Sequence, residues 1–252
     1  MDVESPVKSR APEFVERIKS LHSDVLLVAA YGQILSMALL ESAKQGGINL
    51  HGSILPKYRG AAPIQRCIQN GDAETGVTLM QMAAGMDTGD IIAIERTPIG
   101  PEETAGEVSG RLARIAGEMA REWMPLIAAG QYARTPQDDA LATMAPKVEK
   151  HEAEMLFENA VGQEYDRYRA FTPFPGAFLK TSRGHVRIGR AALRLGQNPG
   201  PGKVAGIRRE LVVGFQGGSI ALIEVQPEGK KRMSGADWAK GARIAEGDCL
   251  LP

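Results

Sequence analysis

Residues 24–30, DVLLVAA, are apolar throughout and lack the period-two alternation of a half-buried strand. A strand that short and that apolar needs cover on both faces, which a parallel sheet flanked by helices provides. The neighbouring segments agree. Residues 9–21 carry Phe14, Val15, Ile18 and Leu21 at helical spacing, with Pro12 suited to a first turn. After Tyr31-Gly32 come a short helix over 37–44, a second buried strand over 47–50 and a helix over 61–70. Two more strands, 76–82 and 90–96, are joined by the tight AAGMDTG loop, and a long helix over 107–129 follows. Alternating strands and helices predict an α/β layer architecture.

From about Gly130 the pattern changes. Residues 131–155 form a polar linker, with Pro136 and Pro146 within it. A helix over 161–170 is followed, after PFPG, by short alternating segments: AFLKT, HVRIG, KVAGI, ELVVGF and SIALIEV. Glycines and prolines separate them, as in a small antiparallel barrel. The expected layout is an α/β domain over 1–130, the linker, and a β domain over 156–252.

Lys plus Arg and Asp plus Glu balance at 30 each, so net charge names no partner. The distribution is uneven. Between Lys180 and Arg243 there are 13 basic and 4 acidic residues, a balance of +9. Such a face is either solvated or a track for a polyanion. Cys67 and Cys249 lie far apart and match no metal-ligand spacing. No metal is expected, and the setting is read as reduced and cytoplasmic. MDVESPVKSR lacks the apolar core of a leader, and no run approaches the length of a membrane span.

The chemistry concentrates in INLHGSILPKYRG (48–60) and GMDTGD (85–90). In an open α/β sheet, ligands gather outside the carboxyl ends of the strands, where Asn49 and His51 stand. Positions 49 and 51 of a strand face the same way, so an amide donor and an imidazole can converge on one oxygen. Acyl transfer needs that arrangement to hold a tetrahedral oxyanion. A carboxylate such as Asp87 can orient the imidazole or accept a proton. The residues alone also allow a structural histidine and turn-capping aspartates at 87 and 90. Lys57, Tyr58 and Arg59 beside them either touch substrate phosphates or shape the turn. His22, His151 and His185 are read as structural or surface residues.

INLHGSILPKYRGAAPIQR followed by GDAETGVTLMQMAAGMDTGD resembles the signature of the formyltetrahydrofolate-dependent formyltransferases. The likeness extends through PVKS, DVLLVAAYGQIL, RAFTPFPGAF and GKKRMSGADW to nearly the whole chain. The resemblance implies a Rossmann-like formyltransferase domain followed by an OB-like barrel that helps bind tRNA. It implies Asn49, His51 and Asp87 as the catalytic trio, and folate contacts from Ser53, Ile54, Leu55 and Pro56. The AAPIQR form points to the branch that moves a formyl group from 10-formyltetrahydrofolate to the α-amino group of methionyl initiator tRNA. Related enzymes acting on amino-sugar nucleotides share the trio, and a tRNA-binding form without turnover is the non-enzyme alternative. The family's layout places about sixty residues, with the first strand of the Rossmann-like sheet, before the equivalent of Val3. Residues 24–30 are therefore expected at a sheet edge, with activity to be judged apart from family, and a monomer is expected of the full domain.

Overall fold

The structure, a computed structural model, describes residues 3–252. Two compact units emerge. Among the described residues the first comprises 3–63, 74–98 and 109–147, and the second 64–73, 99–108 and 148–252.

The first unit is built on a four-stranded sheet of β1 (Leu26–Ala29), β2 (Gly47–His51), β3 (Glu74–Gln81) and β4 (Ile91–Pro98), in that order. β1 and β2 run parallel, whereas β2–β3 and β3–β4 are antiparallel. The α/β class holds, but the sheet is mixed rather than parallel. For β3–β4 the reason is physical: the turn over 82–90 is shorter than the dozen or more residues a parallel crossover needs. Helices α1 (Pro12–Lys19) and α2 (Met37–Leu40) precede β2, and Ser36 caps α2 by accepting the Leu39 amide. Ile48, Leu79 and Met80 are fully buried on the central strands. β1 is the edge: its Leu27 and Ala29 are exposed, against the expectation of cover on both faces and in line with that of a sheet edge.

Helix α3 (Pro63–Gln69) leads into β3, and α4 (Ala105–Ala128) follows β4. In α4 Val108, Leu112, Met119 and Ile127 are buried on one stripe, while Leu126 is exposed.

The second unit contains α5 (Val161–Ala170) and an antiparallel sheet in the order β5-β6-β9-β8-β7. Its strands are β5 (Phe178–Thr181), β6 (Gly184–Arg194), β7 (Val204–Gly206), β8 (Leu211–Phe215) and β9 (Gly218–Pro227), with β10 (Met233–Ser234) paired to β9. One apolar cluster, including Tyr165, Tyr168, Leu179, Ile188, Leu211, Phe215, Ile220 and Trp238, forms its core. Ser234 caps a last helix, α6 (Gly235–Gly241), which the sequence reading left out. Among the described residues, no helix is long and apolar enough to cross a membrane.

Candidate active site

β2 carries the site. Its register pairs Asn49 with Met80 and His51 with Thr78 of β3, so both site residues lie on a central strand with partners on each side. Along the strand they stand about 6.5–7 Å apart on one face. The Asn49 side chain makes no hydrogen bond within the described residues, leaving its amide free to donate. His51 is 6% exposed.

Past His51 the chain folds back in a tight loop. Ser53 Oγ donates to the Lys57 carbonyl at 2.7 Å, and Thr78 Oγ1 donates to Ser53 O at 2.6 Å while accepting the Leu55 amide at 3.1 Å. Ser53 and Leu55 are thereby turned inward, and Ile54 and Pro56 are half-buried. Tyr58 takes a left-handed φ of 63° and gives its amide to Thr143 Oγ1 at 2.9 Å. Arg59 and Tyr58 are buried, so they shape the turn, while Lys57 is exposed.

The turn sets the imidazole. His51 Nε2 lies 2.9 Å from the Tyr58 carbonyl oxygen. Only an N–H can face a carbonyl there, so the proton of the neutral ring is assigned to Nε2. Nδ1 is left facing Asp87, whose Oδ2 is 3.7 Å away. The tautomer is thus set by a backbone carbonyl. Asp87 itself has a left-handed φ of 52°, and its Oδ2 accepts the Gly60 amide at 2.9 Å.

The loop bearing Asp87 has further anchors. Gly89 packs so closely on β3 that an added Cβ would lie 1.8 Å from the Gln81 carbonyl oxygen. Gln137 donates through Nε2 to the Asp87 and Gly89 carbonyls at 2.9 and 2.7 Å. Its Oε1 accepts Arg59 Nε and Nη2 at 3.0 and 2.8 Å, and Arg59 Nη2 also reaches Asp139 Oδ1 at 2.7 Å. Sequence reasoning missed Gln137, Thr78 and the Tyr58 carbonyl, and nothing in the polar segment around Gln137 singles it out.

Chemically, the arrangement offers one free amide donor, one ring nitrogen open to a proton, and one carboxylate beside that nitrogen. Protonated at Nδ1, His51 becomes a donor balanced by Asp87. The set suits stabilising negative charge on one oxygen while a proton is passed on.

The chain is similar to known proteins along most of its length. Residues 4–124 match the formyl transferase family and residues 147–243 the formyl transferase C-terminal domain. A methionyl-tRNA formyltransferase of Geobacter sulfurreducens is 40% identical over 246 residues, covering 97% of this chain and 77% of that protein. One of Geotalea uraniireducens is 42% identical over 249 residues, covering 98% and 79%. Among solved structures, HypX from Aquifex aeolicus in complex with tetrahydrofolic acid is similar in fold, with a TM-score of 0.72 at 17% identity over 94% of this chain and 42% of HypX.

Proposed function

The chain belongs to the formyl transferase family, and on that premise we propose that it transfers the formyl group of 10-formyltetrahydrofolate to the α-amino group of methionine esterified to initiator tRNA. The observation that carries the reading is His51 Nδ1 set 3.7 Å from Asp87 on the strand that bears an unengaged Asn49 amide. The names of relatives about 40% identical along nearly the whole chain support the choice of acceptor.

The amine nitrogen attacks the formyl carbon, and the C–N10 bond breaks. Asn49 and His51 donate to the formyl oxygen as its carbon becomes tetrahedral. His51 needs Nδ1–H for this, so it acts as the imidazolium, with the Asp87 carboxylate as its counter-charge. Asp87 accepts the proton that the amine loses, directly or through water, and that proton ends on N10, so the site finishes as it began. Ile54 and Pro56 offer half-buried apolar surface for the folate ring, and Ser53 and Leu55 hold the loop that presents them. In the second unit Arg190, Arg208, Arg209, Lys230 and Lys231 are exposed without an ion-pair partner among the described residues, as a surface tracking tRNA phosphates requires.

Asp87→Asn is expected to lower the turnover of charged initiator tRNA by about 100-fold or more, without unfolding the chain. A rate within a few-fold of wild type would sink the role given to Asp87. Offered charged initiator tRNA against amino-sugar nucleotides, the protein should formylate the tRNA; formylation of the sugar alone would overturn the acceptor.

A further inference from the structure

We infer that Gln137 is a positioning residue for formyl transfer: its side-chain amide holds the Asp87 loop where the carboxylate meets His51. The inference rests on the formyltransferase reading and deepens it.

Three consecutive residues of the turn after β2 each fix one part of the site. The Tyr58 carbonyl takes His51 Nε2, the Gly60 amide takes Asp87 Oδ2, and Arg59 between them reaches Gln137. Gln137 closes the circuit on the far side of Asp87, through the main-chain carbonyls of residues 87 and 89. Its place is set by the chain: Thr135 exchanges both backbone hydrogen bonds with Ile91, the first residue of β4, at 2.8 and 2.9 Å. Two residues on, Gln137 comes down beside the turn that enters the same strand.

Its amide is saturated. Two N–H groups meet two carbonyls, and the oxygen accepts two guanidinium N–H groups, a set that fixes which end is nitrogen. Glutamate has the same shape but no donor, so the oxygen in the place of Nε2 would face the two carbonyls while the other still meets Arg59. Asp87 sits in a left-handed conformation that a non-glycine residue holds only when its surroundings impose it. One Gln137 donor holds the main chain of residue 87 itself and the other that of residue 89. Loss of them frees the carboxylate to leave His51 without removing any group that would touch substrate.

The test is Gln137→Glu in the full chain, alone and combined with Asp87→Asn, with the wild type assayed first. We expect kcat to fall about 100-fold, with KM for folate and for tRNA nearly unchanged, as for a misplaced group. Because Gln137 acts through Asp87, the double variant should be no slower than Asp87→Asn alone. Multiplying effects, or an unchanged kcat, overturn the inference. Hydrogen exchange at the Gly60 amide supplies a readout independent of turnover. Its protection should fall at least about tenfold in Gln137→Glu, since its acceptor has moved. If the wild type transfers no formyl group, the functional reading fails and Gly60 exchange alone decides: unchanged protection refutes the positioning role. Should Gln137→Glu not fold, Gln137→Asn, one methylene too short to span both loops, is measured in the same ways.

Discussion

Gly60 shows how narrowly single residues constrain the site. Its φ is 127°, a conformation that a side chain strains, and a Cβ there would lie 2.6 Å from the Ala145 carbonyl oxygen. Its amide is also what Asp87 accepts. Gly60→Ala should therefore cost about 1–3 kcal/mol of stability and disturb Asp87 as well. A thermal melt and a turnover assay together check this: wild-type stability with wild-type kcat would refute it. At this scale, Asn49, His51 and Asp87 stood out as candidates because an amide, an imidazole and a carboxylate gather at strand ends and turns, but the residues alone also allowed structural roles and only the resemblance implied the trio. Gln137 did not stand out, since its partners are main-chain carbonyls that every residue carries and its neighbours are those of any polar linker. The tautomer was hidden for the same reason, being set by the carbonyl of Tyr58 and not by its side chain.

At the scale of elements, period and composition placed the strands, but their directions and exposures required the third dimension. An apolar run reads alike in either direction, and only the shortness of the turn over 82–90 carried the antiparallel signal. Residues 24–30 read as covered on both faces, yet Leu27 and Ala29 of β1 are exposed, and the strand has a sheet partner on one side only among the described residues. In the second unit α5 is tied to β6 by one polar contact within apolar packing: the Ala191 amide donates to the Tyr168 hydroxyl at 3.0 Å, beside a register shift in β6. Tyr168 is 3% exposed, and burial raises the pKa of its phenol. Tyr168→Phe leaves that buried N–H without its acceptor. A loss of about 1–3 kcal/mol is expected, seen as a lower urea midpoint at unchanged slope; an unshifted midpoint would show the bond to be dispensable.

For the whole molecule, charge couples stability to acidity through Arg66 and Glu152, both in the second unit. The guanidinium makes two hydrogen bonds, at 2.6 and 3.0 Å, to the Glu152 carboxylate. Those bonds, helped by the Glu149 amide and opposed by burial, lower its pKa from 4.5 to about 2. Because the folded value lies below the unfolded one, the stabilisation is fully present above pH 4.5 and is lost as pH falls towards about 2. The stability gap between wild type and Glu152→Gln should close across that window in acid denaturation; a gap independent of pH would disprove the linkage. Arg66 is far from Glu152 in sequence, and it is not alone. Arg169 Nη1 donates to the carbonyls of Gly100 and Glu103 at 3.1 and 3.2 Å, and the Gly106 amide donates to Thr172 O at 3.1 Å. The second unit thus borrows residues 64–73 and 99–108 from stretches that interrupt the first. Recombination acts on contiguous DNA, so a crossover in the linker would deliver a β domain whose Arg169 and Glu152 meet an unfamiliar lineage's residues. The residues of the second unit can thus be inherited intact only together with those of the first.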